Sequence, residues 1–409
     1  MNIGIDLRPL QTGHKFRGIG EVAKQTTNRI LQLALKEKSG KAHFIFYEYE
    51  DDDPKELLDI PKGLSYEVIK LGKMPENNLS VSKYEKFSRA YNSLYGVPVS
   101  KTSKCDVFLQ FDYALGVPRN TRTVLIKHDI IPYIFWDKYF ESAWIPFKNK
   151  AMRSTLRTIF ANRKFMRVLR RSLKNANVIL TVSKSTMEDL NKYFKVPNKK
   201  MKVSHLGVSI NKSKTNENST VKDMPIKPYL LFVGAGDARR RVDDAVAAYN
   251  NLKAEGHDIQ LVLVGENFKS PEAIPNPAVR SAVMSSSYKK DILTLGYVDD
   301  GTKQKLYKNA LAFVYPTRYE GFGIPVLESM LLECPIITYK NSSIPEVGGD
   351  YALYTDNWEG IKANVEKLLD QSASSRKKQI VAAKKYAENF TWDKTAKIIY
   401  DELVAGRVR

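Results

Sequence analysis

At 409 residues the chain is long enough for two domains, each with a core of its own. Hydrophobic content of 43% and aromatic content of 11% fit a globular protein. No apolar run nears the ~20 residues needed to span a bilayer. The net charge of +20, from 65 basic against 45 acidic residues, calls for an anionic partner: nucleic acid, an anionic membrane face or a phosphate-bearing substrate.

In chain order, strands are expected at Ile3–Leu7, His43–Tyr49, Asp106–Phe111, Thr123–His128, Val178–Val182 and Lys202–Leu206. A helix is expected over Gly20–Leu35. Met1 leads straight into the first strand, so no signal peptide is expected. A polar segment from Asn211, free of aromatics and ending near Pro225 and Pro228, reads as a linker. Beyond it strands are expected at Tyr229–Val233, Ile259–Val264, Ile292–Leu295, Leu311–Tyr315, Ile336–Tyr339 and Ala352–Tyr354, and a last helix begins at Thr391. Strands alternating with helical patterns give an α/β chain of two doubly wound domains. The expected boundaries are 1–215, 216–390 and a terminal helix over 391–409, crossing back to the first domain. Cys105 and Cys334 lie in apparent core, which points to a reduced, cytoplasmic protein. No Cys/His spacing fits a zinc site.

Several segments carry chemistry. Between Lys148 and Lys174 stand ten basic residues and no acidic one, among apolar residues at helical spacing. The apolar stripe is expected to pack inward, and the one-sided charge points to an anionic lipid surface or acceptor. Asp51-Asp52-Asp53 reads as a solvated loop. His128-Asp129 ends a strand, where α/β ligand crevices form; by residue type a structural His–Asp pair is as good a reading. Ser183 and Ser185 read as helix caps, Ser185-x-x-Glu188 as a capping box, and His205 as structural.

Gly234-Ala235-Gly236-Asp237-Ala238-Arg239-Arg240-Arg241 follows a strand, but Arg239 stands where a dinucleotide fingerprint needs glycine. Three arginines at a helix start work against the dipole, which favours a phosphate role for them. After the strand ending at Tyr315 comes Thr317-Arg318-Tyr319-Glu320-Gly321-Phe322-Gly323-Ile324-Pro325-Val326-Leu327-Glu328. Gly321 and Gly323 permit close approach of backbone amides, and Pro325 suits a first helical turn. Glu320, set among apolar residues, needs partners, and sugar hydroxyls would supply them. Helical side chains lean toward the N-terminus, so Glu320 and Glu328 are expected to face one cleft.

Taken together, the Arg239–Arg241 turn, Leu263-Val264-Gly265, Leu295-Gly296-Tyr297-Val298, Glu320–Glu328 and Ser343-Ile344-Pro345-Glu346-Val347 resemble the family 4 retaining glycosyltransferases of the GT-B fold. Arg17-Gly18-Ile19-Gly20, His128-Asp129-Ile130-Ile131-Pro132, Thr181-Val182-Ser183 and His205-Leu206-Gly207-Val208 match the same family in the first half. The resemblance implies two Rossmann-like domains facing each other across a cleft, with the nucleotide-sugar donor on the second and the acceptor on the first. It places Glu320 on the transferred hexose with Gly321, Phe322 and Gly323 beside it, Glu328 on the ribose, and Arg239, Arg240, Gly18 and Gly20 at the diphosphate. Arg240 stands where the family usually has lysine, and Ala235 where some relatives carry a basic residue. His128 is placed at the acceptor or reaction centre.

The implied reaction moves a hexose from a nucleoside diphosphate to a hydroxyl of a glycan or lipid-linked glycan with retention, in cell-surface polysaccharide synthesis. Arginines would carry the leaving charge, so neither metal nor other cofactor is expected. GDP-mannose is the favoured donor, with UDP-sugars and dTDP-rhamnose as alternatives. Front-face displacement is the implied route, with Glu320 orienting the sugar. The protein is expected in the cytoplasm, peripheral at the inner membrane face through the 148–174 stretch. The rival of another class is a basic nucleic-acid-binding protein, which no recognised module supports, so no nucleic acid is expected.

Overall fold

The computed structural model describes residues 1–12, 18–37, 42–50, 53–72, 99–111, 117–118, 120–135, 163, 166–210 and 224–405. The chain divides into two compact units, Met1–Gly207 with Thr391–Arg409, and Val208–Phe390. The boundary expected at 215, like most of the 148–174 basic stretch, lies outside the described residues.

In the first unit, β1 (Asn2–Asp6), β2 (His43–Glu48), β3 (Ser65–Lys70), β4 (Val107–Gln110), β5 (Arg122–Lys127), β6 (Val178–Thr181) and β7 (Met201–Val203) form one sheet in the order β3-β2-β1-β4-β5-β6-β7. Every pairing is parallel. β1, β2, β4 and β5 are almost wholly buried, as near-continuous apolar strands of a doubly covered sheet should be. β3 is absent from the sequence reading: Ser-Tyr-Glu-Val-Ile-Lys is half-exposed along its length and carries charges suited to an edge strand. The strand expected over Lys202–Leu206 is shorter, since only Met201–Val203 pairs with β6.

The helix expected over Gly20–Leu35 runs Gly18–Lys36, so Gly18 and Gly20 form its first turn together with Glu21, which suits the dipole. The terminal helix Trp392–Val404 starts at its Thr391 N-cap and packs within the first unit. Arg29 Nε bonds Asp393 at 3.0 Å, and Tyr400 donates to Glu37 at 2.9 Å. Gly207 permits this return, because a Cβ there would stand 2.0 Å from the Trp392 amide nitrogen.

In the second unit, β8 (Tyr229–Val233), β9 (Gln260–Val264), β10 (Ile292–Gly296), β11 (Ala312–Tyr315), β12 (Ile336–Tyr339) and β13 (Leu353–Thr355) form a parallel sheet in the order β10-β9-β8-β11-β12-β13. The chain winds outward from β8 through β9 to β10, then returns to β11 on the other side of β8. That reversal sets a topological switch point at the carboxyl ends of β8 and β11, the place where α/β sheets generally take their ligands. Both segments singled out in the sequence, Gly234–Arg241 and Thr317–Gly323, follow these two strands.

Candidate functional site

β11 ends at Tyr315, fully buried, and its hydroxyl donates to Glu320 Oε1 at 2.6 Å. Thr317 Oγ1, also buried, lies 3.1 Å from the same oxygen. From the turn after β8, Arg239 NH1 approaches Oε1 to 2.6 Å and Arg240 Nε to 3.4 Å. Two neutral donors and two guanidinium groups therefore converge on one carboxylate oxygen. Burial works to raise the Glu320 pKa, and the arginine charges overcome it, so the carboxyl is held below its usual range. The Tyr315 phenol is pushed well above its usual range by burial.

Part of what buried Glu320 needs comes from the protein itself, across 80 residues of sequence. Glu320 keeps 9% of its surface exposed, so the cluster still borders solvent. The loop after β12 fixes the backbone. Ser342 Oγ accepts from the Glu320 amide at 2.9 Å, and Ser343 Oγ lies 2.9 Å from the Glu320 carbonyl oxygen and 2.8 Å from that of Phe322. Gly323 caps the next helix at φ +109, a conformation closed to most side chains, and Pro325 occupies its first turn.

The arginine turn divides three ways. Arg239 is pinned by Glu320, by the Tyr319 carbonyl and by Asp237, whose Oδ1 lies 3.3 Å from its Nε. Arg240 lies over the Tyr315 ring with its guanidinium 5.8 Å from the centroid, and its side chain keeps 18% of its surface exposed. Arg241 turns away. It sits at φ +43 as the N-cap of the helix Val242–Ala254 and pairs with Asp243 at 2.9 Å and Asp244 at 2.5 Å. The helix start thus brings two acids of its own to balance Arg241. Asp244, buried and pushed up by that burial, also accepts from Tyr339 at 2.5 Å.

Glu328 has a separate partner. It lies in the second turn of the helix Ile324–Leu331, and Lys303, from the helix Asp300–Asn309, reaches its Oε1 at 3.0 Å. Burial opposes the charge on Lys303, and Glu328 overrides it, holding the ammonium above its ordinary range. Glu320 and Glu328 share no bonding partner among the described residues. Lys303, Tyr315 and Thr317 were missed in the sequence because each reads as an ordinary helix-face or strand-end residue.

In the first unit, His128 follows β5 and is 8% exposed, its carbonyl oxygen accepting from Thr186 Oγ1 at 3.2 Å. Asp129 Oδ1 accepts from the Ile131 amide at 2.9 Å, opening the short helix Ile131–Ile134. The capping box assigned to Ser185 and Glu188 is corrected: Ser183 is the N-cap, accepting from the Thr186 amide at 3.0 Å, and Ser185 lies inside the helix. His205 receives Thr395 Oγ1 on its carbonyl oxygen at 2.7 Å. Asp53 caps the short helix Pro54–Leu57, while Asp51 and Asp52 lie outside the described residues.

Two further groups bear on the cofactor and partner expectations. Glu255, His257 and Glu366 bring ligand atoms within 4.8 Å of one another, and Lys362 bonds both carboxylates at 2.9 and 2.8 Å. The described end of the basic stretch borders a pocket of about 490 Å³ with Arg170, Lys174, Lys195 and Lys200 on its rim. Lys200 donates there to the carbonyls of Leu173 and Lys174, both at 2.8 Å, ending a helix. Among the described residues no helix is long and apolar enough to cross a membrane.

Residues 214–386 match the family model for glycosyl transferases group 1. The chain is 28% identical over 235 residues to the O-antigen chain mannosyltransferase B of Escherichia coli, covering 55% of this chain and 60% of that protein. It is 24% identical over 259 residues to the O-antigen chain mannosyltransferase RfbU of Salmonella typhimurium, covering 62% and 64%. The chain thus spans less than two thirds of the length of these relatives. Among solved structures, WaaG, a glycosyltransferase involved in lipopolysaccharide biosynthesis, superposes with a TM-score of 0.62 at 16% identity, over 99% of this chain and 100% of that one. Anabaena HepE in complex with UDP and glucose gives 0.64 at 13% identity, over 99% and 100%. The two parallel sheets with their helices are those of the GT-B fold.

Proposed function

We propose that the chain is a retaining hexosyltransferase acting on a nucleoside-diphosphate sugar, a reading supported by the match of residues 214–386 to the group 1 glycosyltransferase model. The observation that carries this reading is the meeting of Arg239, Arg240 and Glu320 at the carboxyl ends of β8 and β11. Guanidinium groups match diphosphate oxygens in geometry and charge, and a carboxylate beside them matches hexose hydroxyls. Glu328, steadied by Lys303, is the ribose anchor.

In the transfer, the bond from the anomeric carbon to the diphosphate oxygen breaks and the bond to the acceptor oxygen forms on the same face. The acceptor proton passes to the departing phosphate oxygen. Negative charge grows on the leaving group, and preorganised cations there lower the barrier. Glu320 orients the sugar, its charge assured by the arginines. These residues handle the leaving charge by themselves, so no metal is invoked. His128, at the carboxyl end of β5, is the first unit's candidate for the acceptor side. Gly18 and Gly20 are kept as amide donors from a helix's first turn.

GDP-mannose is the proposed donor, supported by relatives named as O-antigen chain mannosyltransferases. A UDP-sugar is the second reading, supported by the HepE complex with UDP and glucose. The proposed acceptor is a glycan or lipid-linked glycan of the cell surface, met at the cytoplasmic membrane face. The test is nucleoside-diphosphate release and sugar transfer from GDP-mannose, UDP-glucose and dTDP-rhamnose, repeated on Glu320→Ala. Transfer from one donor with retained anomeric configuration is expected, falling about 10²-fold or more in the variant. Undiminished transfer by Glu320→Ala would overturn the site. Salt-sensitive RNA binding with no donor turnover would overturn the reaction class.

A further inference from the structure

The arginines that suit a diphosphate are already engaged. Arg239 and Arg240 both lie against Glu320 Oε1, at 2.6 and 3.4 Å, and Tyr315 and Thr317 complete the shell of that oxygen. An incoming diphosphate competes with Glu320 for the same two cations. The competition is sharp because the cluster is 9% exposed or less at Glu320, Arg239, Tyr315 and Thr317, and buried charges are screened weakly.

We propose that Glu320 determines specificity for the sugar-bearing donor over the spent nucleotide, by acting as the resident counter-ion of Arg239 and Arg240. This rests on the transferase reading above and adds a consequence to it. A bare nucleoside diphosphate draws the arginines toward its phosphates and gives Glu320 nothing in return. A carboxylate left short of partners near the interior is costly. A nucleotide sugar makes the same demand on the arginines, but its hexose hydroxyls donate to Glu320 as they leave. The exchange is balanced for the donor and unbalanced for the product, so Glu320 favours loading and weakens the hold on the released nucleotide. The identity of the base plays no part.

Pyrophosphate is therefore a sufficient probe of the phosphate half. By isothermal titration, Glu320→Gln is expected to bind pyrophosphate, GDP and UDP at least about tenfold more tightly than the unsubstituted protein, since the neutral amide removes the nearer of the two carboxylates that hold these cations and leaves only Asp237, at 3.3 Å from Arg239 and 3.7 Å from Arg240. The preference of the unsubstituted protein for its nucleotide sugar over the matching diphosphate is expected to shrink by a similar factor. Thermal melting reports whether the variant folds. If Glu320→Gln does not fold, the double variant Tyr315→Phe, Thr317→Val keeps the carboxylate and removes its two neutral donors. Glu320 then leans harder on the arginines, and pyrophosphate affinity is expected to fall. Unchanged or weaker binding of pyrophosphate to Glu320→Gln overturns the inference while leaving transfer activity as a separate test of the reaction. Failure of the unsubstituted protein to bind any nucleotide overturns both.

Discussion

Each unit carries a buried arginine–carboxylate pair at the carboxyl edge of its sheet, and the two pairs are built differently. In the first, Arg8 grips Asp6 two residues away, through Nε at 2.8 Å and NH2 at 2.7 Å, with the two side chains 1% and 0% exposed. In the second, Arg239 and Arg240 reach Glu320 across 80 residues, with side-chain exposures of 7%, 18% and 11%. The local pair is fully buried and ties the end of β1 to the residues that follow. The long-range pair joins two loops at the switch point and keeps a face to solvent. Burial of a charge pair is thus no mark of chemistry by itself; what matters is whether the pair borders space for a ligand and whether its members come from both sides of the switch point.

The comparison breaks most readily in the first unit. Arg8→Ala leaves the Asp6 carboxylate buried without its guanidinium and is expected to cost about 3–5 kcal/mol of folding stability. Chemical denaturation reads that loss, while nucleotide affinity, measured where the protein remains folded, is expected to stay as it was. A large change in affinity with little loss of stability would reverse the roles given to the two pairs.

A smaller effect sharpens the second unit. Lys303→Met removes the bond to Glu328 and is expected to weaken nucleotide binding by about 1 kcal/mol, roughly fivefold, through a less firmly placed ribose anchor. The loss should appear in KM for the donor and spare kcat. The converse split would move Lys303 from ribose placement to the reacting centre.

The smallest effect is read along the pH axis. The folded-state pKa of Glu320 is depressed below its unfolded value, so its contribution to stability is fully present above the ordinary carboxylate range, about 4.3, and is lost as pH falls through the folded value. Denaturation midpoints should fall with acidification more steeply in the unsubstituted protein than in Glu320→Gln. Identical slopes would mean that the arginine cluster does not hold the carboxylate charged.

Much of this was legible in the sequence because its signals are local. Twelve of the strands were placed from apolar runs alone, and the two turns at the second switch point were marked by glycine, arginine and glutamate at strand ends. The thirteenth, β3, escaped because an edge strand needs no continuous apolar run. Pairings between distant segments were not legible. Nothing in Glu320 announces that Tyr315 and two arginines will satisfy it, and Arg241 looks like its neighbours until its backbone turns left-handed and sends it to Asp243 and Asp244. Lys303 reads as one more surface lysine on a helix. These residues acquire roles through the winding of the sheet, which brings β8 beside β11 with two strands intervening in the chain.

The most direct test of the central claim is the affinity of the donor nucleotide for Arg239→Ala, Arg240→Ala against the unsubstituted protein, measured by isothermal titration on samples shown to be folded. With two charge-assisted contacts removed from the switch point of the second sheet, binding is expected to weaken about a hundredfold or more. Affinity preserved in that double variant would contradict the account, because it would place the diphosphate somewhere other than at the carboxyl ends of β8 and β11.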